Sequence, residues 1–445
     1  MKKILKKLLC LTLGVGMMLS MVACNSSSGS GGANSGNGGG NSSKPTGEPI
    51  VLTIWCPEAD HEFAKQVAEQ YKAANPDKTY KFLFGIQGEN DAATKVLNDV
   101  ENAPDVFSFP SDQINRLING DALARIGGSY LDYVKANNSA DAVDSATVLV
   151  DGEERTYGMP YTDNTFFLYY DKSVLTEEDV KSLDGILAKC TAPDADGKNG
   201  KQFAMPLNDG WYSTSFYFAK GLGYNVTFDE AFGETEITCD FANDTGKAVT
   251  QALWEVISDP RVKPDTDDSK SAAGFQDGSI VAAVSGIWNK TTFQNYLGEN
   301  FAVAKLPTYT LNRGLATEEQ VQLVSFAGYK LLGVAQHSKN KAEAMAFAQF
   351  YSNKQNQLLH FDLRGFVPTN LEAQQEEKVK NDICARAITA QLQYTKSQKN
   401  VPSTLWTPMQ GLGDGLIALI AEGATQEQIL ELLNNAVSQI EKHPA

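Results

Sequence analysis

Four short turns in this chain each set an aromatic ring beside amide or carboxylate groups: Phe109-Pro110-Ser111-Asp112, Asn208-Asp209-Gly210-Trp211-Tyr212, Gly286-Ile287-Trp288-Asn289 and Ser403-Thr404-Leu405-Trp406. Flat rings bury a large area at low entropic cost, and an ionised carboxylate makes a strong hydrogen bond with a hydroxyl. Together they suit a ligand with an apolar face and a hydroxyl rim, which is the chemistry of a sugar ring. Taken singly, each ring is better explained by core packing. The grouping carries the reading.

Catalytic patterns are missing. The chain has no G-x-S-x-G elbow, no H-E-x-x-H, no Walker A and no dinucleotide fingerprint. Asp244-Thr245-Gly246-Lys247-Ala248 has a Gly-Lys pair but lacks the hydroxyl that would hold magnesium. Histidines 61, 337, 360 and 443 are too scattered to form a ligand set read by spacing. In Asp194-Ala195-Asp196-Gly197-Lys198-Asn199-Gly200, Lys198 takes a slot that calcium would need for oxygen, so the segment reads as a polar turn. No cofactor and no metal are expected. A carboxylate pair for glycoside hydrolysis stays open among 54 acidic residues, because separation in space decides it.

Strands and helices alternate around these turns. Ile50-Val51-Leu52-Thr53-Ile54-Trp55 reads as a buried strand between two prolines, and Phe63, Val67, Ala68 and Tyr71 mark one face of a helix that ends at Asn75-Pro76. A strand at 79–84, an amphipathic segment at 91–100, a strand at 105–109 and a helix at 111–119 follow. A strand at 166–172 opens a second set, with helices at 179–189, 245–258, 349–361 and 426–440. Such alternation implies α/β architecture with largely parallel sheets. In those sheets ligands sit beyond the carboxyl ends of strands, where the first three aromatic turns fall.

The formal charge of −16 includes four leader lysines, so the chain beyond the leader carries −16 − 4 = −20. It shows no basic stripe, and nucleic acid is excluded as a partner. Residues 1–23 read as a signal peptide, with lysines at 2, 3, 6 and 7, an apolar stretch too short to span a membrane, and Met21-Val22-Ala23-Cys24 at its end. That tetrapeptide resembles a lipobox, in which Cys24 becomes the lipid-bearing first residue. Residues 24–49 form a Ser/Asn/Gly-rich linker that would hold the body roughly 25–30 Å from the membrane. Cys56, Cys190, Cys239 and Cys384 remain, and they read as separate buried thiols. The sequons at Asn137, Asn225, Asn243 and Asn289 are read as chance.

From Leu52 to its end the chain resembles the extracellular solute-binding proteins of ABC importers, in particular the maltose/maltodextrin-binding branch. The resemblance is carried by Leu52-Thr53-Ile54-Trp55, Ala103-Pro104-Asp105-Val106, Tyr157-Gly158-Met159-Pro160 and Tyr169-Tyr170-Asp171-Lys172. Phe275-Gln276-Asp277-Gly278, Gly286-Ile287-Trp288 and Leu306-Pro307 add to it. It implies a two-lobed, type II periplasmic-binding-protein fold, each lobe a mostly parallel sheet flanked by helices, with ligand in the cleft. The implied lobes are 50–163 plus about 328–362 and 164–327 plus about 363–445. Trp211, Trp288 and Trp406 match aromatics that stack glucose rings, Phe109 matches an aromatic of the first lobe, and Asp112 and Asp209 match carboxylates that accept sugar hydroxyls. Tyr161, Asp163 and Asn164 lie where the first crossing feeds the site, and Arg364 to Phe366 lie near a later one.

The chain departs from the maltose binders at Gln113, Asn164, Gln410 and Pro57-Glu58-Ala59-Asp60, which loosens specificity for the smallest sugars. The expected function is that of a non-enzymatic, monomeric receptor for maltooligosaccharides. It would be lipid-anchored on the outer face of a Gram-positive-type cell membrane and would deliver ligand to an ABC permease. The alternatives are a receptor for a different oligosaccharide or an anchored glycoside hydrolase.

Overall fold

A computed structural model of the chain describes residues 48–150, 152–421 and 423–442. The expectations for the leader, Cys24 and most of the linker lie outside these residues. The described residues form one compact unit, built on two sheets that each have their own apolar packing.

The first sheet starts where the sequence places it. The strand Ile50–Cys56 pairs in parallel with Tyr80–Ile86 and with Val106–Pro110. Between the first two runs the helix His61–Ala74, whose spacing puts Phe63, Val67, Ala68 and Tyr71 on one buried face. Two later strands complete the sheet: Met159–Asn164 and Ser325–Val334 pair antiparallel, and Ser325–Val334 also runs antiparallel to Val106–Pro110. Thr395–Ser397 pairs in parallel at the start of Ser325–Val334, so a piece of the late chain extends this first sheet.

The second sheet has the order Val262–Lys263, Gln202–Ala204, Ile280–Gly286, Phe166–Asp171, Phe301–Ala304. Its first three strands are parallel, and Phe166–Asp171 is antiparallel to both of its neighbours. Both sheets are therefore mixed. Strands joined by helical crossovers run in parallel, as expected, whereas strands that enter from the other sheet arrive in the opposite direction.

Only Thr165 separates Met159–Asn164 in one sheet from Phe166–Asp171 in the other. Its hydroxyl donates to the Phe326 carbonyl at 2.7 Å and lies 3.0 Å from Ser325 Oγ, which ties this crossing to the one that begins Ser325–Val334. Beyond the helix Lys354–Arg364, Gly365 takes φ +77° and turns the chain back past the first crossing. There the Thr162 hydroxyl donates to the Val367 carbonyl at 2.9 Å.

Some boundaries differ from the periodicity. The expected helix at 349–361 is two helices, Lys341–Tyr351 and Lys354–Arg364, because the Asn353 side chain accepts from Asn356 N at 2.8 Å and starts a new N-terminus. Ser182 likewise divides 179–189 into a short turn and the helix Leu183–Lys189. The last helix, Gln426–Ile440, is as expected and opens on a capping box from Thr425 and Gln428. Among the described residues no helix is long and apolar enough to cross a membrane.

Candidate functional site

Strand Ile280–Gly286 ends in a turn that lifts Trp288 to a partly exposed position. The indole folds back over Gly286, where a Cβ would lie 1.9 Å from a ring carbon, so only glycine lets the ring lie there. Asp268, at the start of the helix Asp268–Asp277, accepts from Trp288 Nε1 at 2.9 Å and fixes the ring from the side. The same carboxylate accepts from Ser285 Oγ at 3.1 Å and from Asn289.

Trp211 stands beside it, with ring centroids 5.7 Å apart and planes inclined by 40°. Asp209 caps the helix Gly210–Phe218 by accepting from Trp211 N at 2.8 Å, so the carboxylate and the ring are set by one turn of backbone. Burial raises the Asp209 carboxyl above its ordinary value; the Trp211 amide opposes the rise and the neighbouring Asp268 charge adds to it. Trp406 opens the helix Trp406–Leu419 and packs 5.7 Å from Phe326. A Cβ on Gly210 would lie 3.6 Å from the Trp406 ring and 2.7 Å from Met409 Cβ, so the two helix starts touch at that glycine. Three segments far apart in sequence thus bring Trp211, Trp288, Trp406 and Asp209 together.

The remaining expected residues are placed differently. Asp163 and Asn164 are buried at the end of the first crossing strand, opposite Tyr329 and Gly328. Burial pushes the Asp163 carboxyl up to about 7. Asp112, half-buried, is pushed up by burial to about 6, against hydrogen bonds from Gln113 and from Gln398 Nε2, the latter at 2.9 Å. Phe109, expected as a ligand-binding aromatic of the first lobe, lies instead in the core. It has no exposed surface, because Val106–Pro110 is buried on both faces and Phe109 packs among Phe107, Ile114 and Leu331.

A raised carboxyl has a direct consequence for stability. The folded protein retains a proton on Asp163 up to about pH 7, whereas the unfolded chain releases it near pH 4. Stability contributed by this group is therefore present at low pH and lost as pH rises between those values. Asp163→Asn should flatten the fall in urea midpoint between pH 5 and pH 8; an identical fall in both proteins would refute this placement of the charge.

Two clusters were not legible from spacing. Glu89 accepts from the Tyr161 hydroxyl at 2.7 Å and pairs with Lys330 Nζ at 2.5 Å, both ends nearly buried. Asp60, 2% exposed, accepts from Arg364 Nε at 2.9 Å and lies 3.5 Å from His360 Nε2. The His360 ring is stacked between Phe63 and Phe366 at 4.4 and 4.7 Å. Burial would raise the Asp60 carboxyl, but His360, then Lys330 and Arg364, outweigh it and hold it well below the usual carboxylate range. The one available signal was Lys330 itself, a cation within the otherwise uncharged strand Ser325–Val334.

The Asp194 turn uses its carboxylate internally, accepting from Lys198 N at 2.7 Å and Asn199 Nδ2 at 2.8 Å. Among the described residues no group of three or more His, Cys, Asp or Glu side chains is placed to hold a metal ion. Cys56, Cys190, Cys239 and Cys384 are free and buried, and burial pushes each thiol up to about 12. At that value they are inert at neutral pH.

Comparison with known proteins adds to this geometry. Residues 66–387 match a family described as bacterial extracellular solute-binding protein. The galactooligosaccharide-binding protein of Bacillus subtilis (strain 168) is 23% identical over 442 residues, covering 96% of each chain. A maltooligosaccharide ABC transporter solute-binding lipoprotein of Streptococcus pneumoniae is 26% identical over 371 residues, covering 81% of this chain and 82% of its own. Among solved structures, one with acarbose superposes with a TM-score of 0.77 at 32% identity, covering 88% of this chain and 99% of its own. MalX from Streptococcus pneumoniae in complex with maltopentaose gives 0.69 at 20% identity, with 87% and 99% covered.

Proposed function

Because the chain belongs to the bacterial extracellular solute-binding protein family and has the two-lobed fold of the maltose-binding proteins, we propose that it captures maltooligosaccharides in its cleft and hands them to an ABC permease. The observation that carries this is the cluster of Trp211, Trp288 and Trp406 around Asp209. Rings held by a glycine platform and a carboxylate present apolar faces to sugar C–H surfaces, and Asp209 offers an acceptor to the hydroxyl rim. The names of the maltooligosaccharide and maltodextrin relatives support the same ligand class.

In this reading the lobes are 50–163 plus about 328–362 and 164–327 plus about 363–445. Ligand that contacts both lobes favours the closed form, because its affinity for that form is higher. Asp163, Asn164 and Asp112 contribute from the first lobe and its crossing. Cys24 carries the lipid that holds a monomeric receptor at the outer face of the membrane, as the name of the pneumococcal lipoprotein suggests by analogy. No bond is made or broken in the bound sugar.

Calorimetric titration with maltotriose through maltoheptaose is expected to show one site per chain. The absence of heat with any of them would overturn the α-glucan assignment. The galactooligosaccharide-binding relative, matched along nearly its whole length, makes galactooligosaccharides the second ligand class to titrate, and tighter binding there would select that reading. Appearance of shorter products on prolonged incubation would reject the receptor role in favour of hydrolysis.

A further inference from the structure

Lys330 sits in the middle of a central strand, 7% exposed, where the following Leu331 and Leu332 are apolar and buried. Its Nζ pairs with Glu89 at 2.5 Å and lies 4.4 Å from the Phe366 ring centroid and 6.0 Å from that of Trp288. Glu89 is itself fixed by Tyr161 through its other oxygen. Four segments therefore converge on one ammonium group: the helix Glu89–Asn98, the first crossing strand, the segment after Gly365 and the turn that carries Trp288.

As scaffolding this arrangement is poor value. Removing a lysine and a glutamate from water costs several kcal/mol per ion, and an apolar pair of similar volume is often at least as stable. One carboxylate also satisfies only one of the three ammonium protons. Its place over the Trp288 ring gives the pair a use. Because the ammonium lies over the Trp288 ring, 6.0 Å from its centroid, a pyranose stacked off-centre on that ring at the usual ~3.5–4 Å contact distance would set a rim hydroxyl beside it.

We infer that Lys330, pre-oriented by Glu89, donates a hydrogen bond to a hydroxyl of the sugar stacked on Trp288 and so selects for oligosaccharides with an acceptor there. This rests on the oligosaccharide reading above. It makes Lys330 a ligand-binding residue of the central strand and Glu89 its positioning residue.

The test compares the wild type, Lys330→Met and the double variant Lys330→Met/Glu89→Gln. Each is titrated with maltotetraose and, in a second arm, with a galactooligosaccharide of the same length, and thermal midpoints are measured alongside. The single variant leaves Glu89 buried and unpaired, so its midpoint should fall; the double variant should regain most of that loss. Affinity should drop at least tenfold in both variants, because neither can donate. Recovery of affinity together with the midpoint in the double variant would overturn the proposal, since Lys330 would then act only by pairing with Glu89. Unchanged or tighter binding by Lys330→Met would also overturn it. Failure of the wild type to bind either sugar is a separate result and would refute the oligosaccharide reading itself.

Discussion

Trp288→Ala is expected to weaken oligosaccharide binding by about tenfold to a hundredfold while leaving the fold intact. The ring is partly exposed, is held edge-on by Asp268 at 2.9 Å, and stands 5.7 Å from Trp211, so its removal opens the centre of the aromatic surface. A buried aromatic contact at the heart of a binding site carries about 1.5–3 kcal/mol, which corresponds to that range of affinity. A companion substitution reaches the same ring without deleting it. In Gly286→Val the first side-chain carbon would meet the indole at 1.9 Å, so the ring must leave its seat. Both variants should lose affinity by calorimetry at nearly unchanged circular dichroism. Wild-type affinity in Trp288→Ala would remove this ring from the site, and wild-type affinity in Gly286→Val would show that the ring tolerates displacement.

Arg364→Met should be strongly destabilising, by about 3 kcal/mol, the lower end of what breaking a buried ion pair costs. It strips the guanidinium from Asp60, which is 2% exposed and cannot turn to water. The acid limb offers a second readout. A carboxyl held below its ordinary value contributes stability that is complete above the unfolded value near pH 4 and is lost as pH falls through the lower folded value. Arg364→Met should therefore remove only part of the loss of stability below pH 4 in guanidinium titrations, since His360 and Lys330 also hold the carboxyl down. Restoration by a second change, Asp60→Asn, would identify the Asp60 charge, left with His360 and Lys330 alone, as the cause. A stability loss that Asp60→Asn does not relieve would assign the effect to the packing of the arginine stem instead.

What the sequence made legible was whatever is local. The first strand, the helix face of Phe63, Val67 and Tyr71, and the helix Gln426–Ile440 follow from apolar spacing within a dozen residues. The Asp209-Gly210-Trp211 turn was legible for the same reason, since the carboxylate, the cap and the ring are adjacent. Asp60, Glu89, Lys330 and Arg364 were not, because each meets its partner only after the strands have paired. Phe109 failed for a related reason. Its position before an aspartate suits a site residue, but a strand covered on both faces turns every side chain into core. The helix at 349–361 failed locally, because Ser352-Asn353 interrupts an apolar period that continues on both sides of it.

The pairing of Val106 with Val334 and of Phe109 with Leu331 governs how the chain comes to be folded at all. The strand Val106–Pro110 emerges early, yet its partner Ser325–Val334 is supplied only when about three quarters of the chain has been made, and Thr395–Ser397 closes that edge later still. Until then the first sheet presents a naked, apolar edge. Such long-range closure makes folding slow and leaves intermediates prone to association. A chain with this topology gains from being kept unfolded until its last segments are available, and a ribosome stalled before residue 325 would leave a fragment that cannot complete either its first sheet or its crossing.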